Sequence, residues 1–120
     1  MDILNNDLER LDFENIIWII FIVLAILNIF GDNLLKDFIV TNDKIEESYA
    51  NKIFLFVLVI SLFIYIYFFI RNYNAFENAN ENEKNIFVIK LLGSALLIAG
   101  IICLIYFQSK QVDFVGTPAI

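Results

Sequence analysis

The fold of this 120-residue chain is decided by residues 53–70, which read IFLFVLVISLFIYIYFFI. The run contains no charged residue, no Gly and no Pro, and Lys52 and Arg71 flank it. As an α-helix it would be about 27 Å long at about 1.5 Å per residue, close to the roughly 30 Å hydrocarbon core of a bilayer. Its Leu, Ile, Phe and Val residues each favour insertion by about 0.3 to 0.6 kcal/mol, which outweighs the cost of Ser61. We therefore predict a membrane-spanning helix over residues 53–71.

Two further apolar runs predict two further spans. The first run covers residues 16–30 and predicts a span of about 14–31, and the last covers residues 86–107 and predicts a span of about 87–107. Hydrophobic residues make up 60% of the chain, and a soluble domain of this length could not bury a core made of most of its sequence. We predict an all-α fold, an integral membrane three-helix bundle over residues 16–108 with amphipathic extensions beyond the membrane.

The segments outside the spans are more polar. Residues 1–15 are acidic and repeat leucine at helical spacing, which fits either an amphipathic helix at the membrane interface or a frayed terminus. The first helix is expected to continue beyond Gly31 to about Val40 with one apolar face. Residues 109–120 predict an extended tail, either docking on a partner or lying free, because Gly116 and Pro118 oppose a helix.

Two connectors separate the predicted helices. Residues 41–43 followed by Glu46 have the pattern of a helix start, with a capping side chain and an acid three residues later. The second helix should therefore begin near Asp43 and run as far as Glu77. Residues 78–85 are rich in Asn and Glu and predict an exposed loop.

Composition excludes several functional classes. The net charge of −6 and the absence of a basic patch argue against nucleic acid as a partner. The chain has no His and a single Cys, Cys103, so we expect no metal site and no disulfide within the chain. The abundance of Ile, Asn and Phe fits AT-rich codons, which favours an origin in a low-GC bacterium or its phage.

Catalytic patterns are missing as well. Ser61 and Ser94 have no base within their own spans, and the spans contain no mid-membrane carboxylate of the kind that ion carriers use. Neither a phosphate-binding loop nor a dinucleotide fingerprint occurs. The sequence therefore predicts a protein that is not an enzyme and carries no cofactor.

The third helix has the clearest packing signal. Its small residues recur on one side of the helix, where they would allow a neighbouring backbone to approach closely. This predicted helix-packing face consists of Gly93, Ala95, Ala99, Gly100 and Cys103. It is expected to receive the first two helices or, equally, to form a seam between copies of the chain.

Three polar residues stand inside or beside the spans. Asn28 is expected either to hydrogen-bond a neighbouring helix or to reach headgroup water. Asp32 lies at the margin of the first span. Lys90 is near the start of the third span, where its ammonium could extend to the headgroups or serve as a functional cation inside the bundle.

Three functions remain compatible with these observations. The first is a small, non-catalytic accessory, regulatory or immunity-type protein of the cell membrane that packs against a membrane partner. The second is a homo-oligomeric, holin-like pore, and the third is a small channel or transporter using Asn28, Asp32 and Lys90. Lys and Arg are equally divided between the two sides of the membrane, so the positive-inside rule does not predict an orientation.

Overall fold

The fold consists of three long α-helices. The computed structural model describes residues 2–110, and side chains from residue 4 onward. The helices are α1 (Asp2–Thr41), α2 (Lys44–Glu77) and α3 (Lys84–Ser109). Each is long and apolar enough to cross a membrane. The predicted all-α, three-helix membrane bundle is therefore confirmed. Of the tail predicted over residues 109–120, Ser109 is the last residue of α3, and residues 111–120 lie outside the described residues.

The connection between α1 and α2 is a tight reversal. Asn42 has φ 58°, in the left-handed region, and its N–H donates to the carbonyl of Phe38 at 2.7 Å, which closes α1. The Asp43 carboxylate caps α2 by accepting from the N–H of Ile45 at 3.0 Å. The N–H of Asp43 donates in turn to Oγ1 of Thr41 at 3.3 Å. The predicted helix start is confirmed, and α1 and α2 run antiparallel.

The helices form a layer with α2 in the middle. Its neighbours α1 and α3 each pack against α2, and within residues 2–110 their backbones do not meet each other. The molecule accordingly measures 59 × 27 × 15 Å. Because the backbones of α1 and α3 stay apart, the two helices leave a furrow between them with α2 as its floor.

A regular stripe on α1 faces α2. Its members are all buried or half-buried, and successive members are alternately three and four residues apart. This spacing keeps one side of a helix in contact with a nearly antiparallel neighbour. The stripe consists of Glu14, Ile17, Phe21, Leu24, Asn28, Gly31 and Leu35. The closest approach is at Gly31, where a Cβ atom would lie 2.6 Å from Cε1 of Phe54. Phe54 is only 1% exposed, so α1 and α2 are held together tightly here.

The face of α3 that contacts α2 differs from the predicted one. Ser94, Ile101 and Gln108 are buried and lie seven residues apart, and Nε2 of Gln108 donates to Oδ1 of Asn51 at 3.1 Å. At about 100° per residue, Cys103 is half a turn away from Ser94.

The predicted small-residue face therefore points away from α2. All five of its members (Gly93, Ala95, Ala99, Gly100 and Cys103) are exposed, and a Cβ added at Gly93 or Gly100 would meet no atom within 4 Å. The expectation that this face receives the first two helices is wrong, because Ser94, Ile101 and Gln108 on the opposite side of α3 form the contact with α2. Its role as a seam with another molecule stays a prediction.

Candidate functional site

A polar network joins α1 to α2 at one end of the layer. Nη1 of Arg71 donates to Oε1 of Glu14 at 2.8 Å, and the hydroxyl of Tyr67 donates to Oε2 of the same carboxylate at 3.2 Å. Glu14 is only 6% exposed, so its charge depends on these donors. The guanidinium also lies 4.7 Å from the ring centre of Phe68. These contacts hold Arg71 in one orientation.

The same network continues to α3 through Asn72. Oδ1 of Asn72 accepts from Nε and Nη2 of Arg71 at 3.3 and 3.0 Å. Its Nδ2 group donates to Oγ of Ser94, whose hydroxyl donates to the backbone carbonyl of Lys90 at 3.1 Å. Asn72 and Ser94 are both buried. A continuous path of hydrogen bonds therefore crosses all three helices at this depth.

An open cleft lies beside this network, at one end of the furrow. It has a volume of about 600 Å³, and its walls combine aromatic rings with two cations and two hydrogen-bonding side chains. We call this region the cationic cleft; it is lined by Trp18, Phe21, Tyr65, Phe68, Arg71, Asn72, Lys90, Gly93, Ser94 and Leu97. The lining includes no carboxylate. Such a surface suits a ligand with an anionic group and an apolar part.

A second, smaller cavity follows along the furrow. It measures about 210 Å³ and shares Phe21 and Tyr65 with the cationic cleft. Its other walls are mostly apolar and include Leu24, Leu58 and Ile101. The two cavities thus form one groove that runs from Arg71 toward the middle of α2.

The structure separates the three polar residues singled out in the sequence. Lys90 lines the cationic cleft, and its ammonium makes no ion pair or hydrogen bond with any side chain that the structure describes. Asn28 is half-buried in the second cavity, where it makes no hydrogen bond to another described side chain. Asp32 lines neither cavity and has one buried carboxylate oxygen without a partner. The three residues do not form one site.

The acidic group with a shifted pKa lies at the opposite end of the layer. Burial raises the pKa of Glu46 above its usual 4.5, and the nearby carboxylates of Asp37 and Asp43 raise it further. Glu46 precedes the predicted span of residues 53–71. The described residues form no cluster of three or more acidic or Cys side chains that could hold a metal ion.

Sequence reasoning did not anticipate the network or the cleft. Glu14 is one of several acids in the N-terminal segment, and nothing in its local sequence marks it as buried. The distances of Glu14 and Arg71 from the turn between α1 and α2 could have predicted their contact. Glu14 precedes Asn42 by as many residues as Arg71 follows Asp43, so a tight antiparallel hairpin places the two charges at the same depth.

These features define a class of protein: an α-helical, multi-pass membrane protein with a charged cleft at one end of its helices. Residues 12–115 match a family described as polysaccharide biosynthesis protein. Because the match covers most of the chain, the protein belongs to that family. Neither the curated proteins nor the solved structures include a significant match to the chain.

Proposed function

We propose that this protein is a non-enzymatic component of the cell membrane that takes part in polysaccharide biosynthesis by packing against a membrane partner through the outer face of α3. Membership of the polysaccharide biosynthesis family supplies the process. The three long apolar helices supply the location in a membrane. The packing mode rests on the structure of α3.

The observation that carries the proposal is the exposure of the small residues of α3. Gly93 and Gly100 have open space where a side chain would be, and Ala99 and Cys103 lie beside them on the exposed side. In lipid, close approach of backbones replaces the hydrophobic effect as the source of helix association, and small residues permit that approach. Among the residues that the structure describes, no helix packs against this face, so it is available to another helix.

Cys103 offers a direct test, because it is the only cysteine of the chain and lies on this face. A short thiol-reactive photocrosslinker attached to Cys103 in native membranes should capture one defined membrane protein. The adduct should disappear in Cys103→Ala. Gly100→Leu should also abolish it by inserting bulk into the seam, whereas Ile22→Phe, on the exposed outer side of α1, should not. If no adduct forms, or if Gly100→Leu leaves it unchanged, the proposal is wrong.

The same experiment distinguishes a different membrane protein as the partner from a second copy of the chain, as in a homo-oligomeric pore. An adduct of twice the 14.0 kDa chain mass would assign the face to a second copy, whereas any other mass would assign it to a different protein.

A parallel measurement of surface polysaccharide in cells lacking the chain tests the proposed role in polysaccharide biosynthesis. Restoration by the wild type but not by Gly100→Leu is expected, and unchanged polysaccharide in the deletion strain would contradict the assignment.

The transporter alternative receives less support. It requires Asn28, Asp32 and Lys90 to act together, and only Asn28 and Lys90 line the furrow, in different cavities. We therefore favour the packing role.

A further inference from the structure

We propose that the cationic cleft binds the phosphate headgroup of an anionic phospholipid, and that one acyl chain of this lipid lies in the furrow between α1 and α3. This site shares Gly93 with the small-residue face of α3 but otherwise lies on the furrow side of that helix, and it does not depend on the partner proposed above. The inference rests on four features of the cleft: its free donors, its local charge, its depth and its continuation into an apolar groove.

The cleft has donors available for a phosphate. Of the five N–H groups of a guanidinium, those of Arg71 donate once to Glu14 and twice to Asn72, so two remain. The ammonium of Lys90 has no partner among the described side chains. Arg and Lys donors of this kind form short, charge-assisted hydrogen bonds with phosphate oxygens.

The local charge selects an anion over a neutral or zwitterionic headgroup. Glu14 balances the charge of Arg71 through their 2.8 Å contact, whereas Lys90 has no ion-pair partner in the part of the chain that the structure describes. Because the whole chain carries a net charge of −6, its overall field does not attract anionic lipids. Any preference for such a lipid must therefore come from contacts within the cleft, and Lys90 becomes the residue that decides it.

The cleft lies at headgroup depth. Lys90 and Trp18 are close to the beginnings of the predicted spans 87–107 and 14–31, and Arg71 is at the end of the span 53–71. These three positions belong to the same side of the membrane, because α2 runs antiparallel to its neighbours. Trp is enriched at this interface, where its ring meets the headgroup region.

The furrow is at least as long as one leaflet. The lining of the two cavities extends about 15 Å along α1, from Trp18 to Asn28, and about 21 Å along α2, from Arg71 to Val57, at about 1.5 Å per residue. Half of a hydrocarbon core of roughly 30 Å is about 15 Å, so the furrow can hold an acyl chain of one leaflet. Phe21, Leu24 and Ile101 provide apolar walls for an acyl chain along this path.

The test is a lipid titration of the purified full chain in a neutral detergent, followed by native mass spectrometry. The probes are phosphatidylglycerol, phosphatidylcholine with the same acyl chains, and inorganic phosphate. Wild-type protein should retain phosphatidylglycerol in preference to phosphatidylcholine. Lys90→Met should reduce phosphatidylglycerol affinity about tenfold, the worth of one charge-assisted contact. Lys36→Met, which removes an exposed cation at the other end of α1, should have no effect.

A second variant tests the acyl chain separately. Ala25 is exposed and lines the second cavity, so Ala25→Phe should obstruct the furrow without touching either cation or the helix contacts. It should weaken phosphatidylglycerol binding while leaving thermal stability unchanged. Equal binding of phosphatidylcholine, equal binding by Lys90→Met, or full competition by inorganic phosphate would each overturn the proposal. Unchanged binding by Ala25→Phe would overturn the acyl-chain placement.

Discussion

Glu14 and Arg71 form a 2.8 Å ion pair across α1 and α2, although 57 residues separate them in the chain. Both are the same number of residues from the turn at Asn42 and Asp43. Antiparallel helices rise equally per residue, so residues equidistant from a tight turn meet at one depth. Gly31 and Phe54 obey the same relationship at the closest helix contact. The turn therefore sets the register of the entire hairpin.

The ion pair leads to a prediction about stability. Arg71→Met should lower the free energy of unfolding by about 3 to 5 kcal/mol, because Glu14 would be left as a buried charge without its cation. Thermal unfolding of the purified chain in detergent measures this loss. The double variant Glu14→Gln/Arg71→Met should lose less than the single Arg71→Met variant, since no charge is then left unpaired. Additive losses in the double-mutant cycle would contradict the coupling.

The close contact at Gly31 leads to a second prediction. Gly31→Ala should destabilise the protein by about 1 to 3 kcal/mol, because the new methyl group would collide with the ring of Phe54, which is only 1% exposed, and the contact would have to shift. Gly100→Ala is the matched control: nothing lies within 4 Å of its Cβ position, so this variant should lose no thermal stability and should gain slightly, because Ala favours a helix interior over Gly. Partial recovery is expected when Phe54→Leu is added to Gly31→Ala. Equal melting temperatures for Gly31→Ala and Gly100→Ala would show that the helices are not in close contact there.

A third prediction concerns the turn. Asn42 adopts a φ of 58°, which a β-branched residue tolerates poorly. Asn42→Val should therefore cost about 1 to 2 kcal/mol of stability. Asn42→Gly should be tolerated, because Gly enters this region without a steric penalty. Chemical unfolding of the two variants in mixed micelles compares them directly, and similar losses for both would refute the left-handed conformation.

A fourth prediction concerns pH. The pKa of Glu46 is raised in the folded protein by burial and by the carboxylates of Asp37 and Asp43. The folded state therefore holds its proton more tightly than the unfolded state does, and this residue contributes added stability as the pH falls from neutral toward 4.5. At pH values above the raised pKa, its ionised form is a destabilising group.

Glu46→Gln isolates this contribution from the other acidic groups. The variant should have a higher melting temperature than the wild type near pH 8, and the difference should shrink as the pH approaches 4.5. A difference that stays constant with pH would exclude Glu46 as the titrating group. A lower melting temperature for the variant than for the wild type at pH 8 would contradict the prediction that ionised Glu46 is destabilising.

The membrane helices could be predicted from composition alone, because a run such as residues 53–70 has no polar face to present to water. The connector was predictable for a similar local reason, since Asp43 supplies the cap that α2 needs. The packing face of α3 was not predictable in the same way. In an apolar helix, small residues reveal where a backbone could approach but not which neighbour does so, and in this protomer the neighbour contacts Ser94 and Ile101 instead.

By itself, the sequence determined three membrane-crossing helices and the place where the first two reverse direction, because both depend on the hydropathy and capping chemistry of neighbouring residues. Only the tertiary structure decided that α2 is the middle helix and that a furrow separates α1 from α3. It alone brought Glu14, Arg71, Asn72 and Ser94 into one network. Such contacts depend on the relative rotation and depth of helices distant in sequence, and no local pattern in this chain specifies the rotation of α3 about its axis.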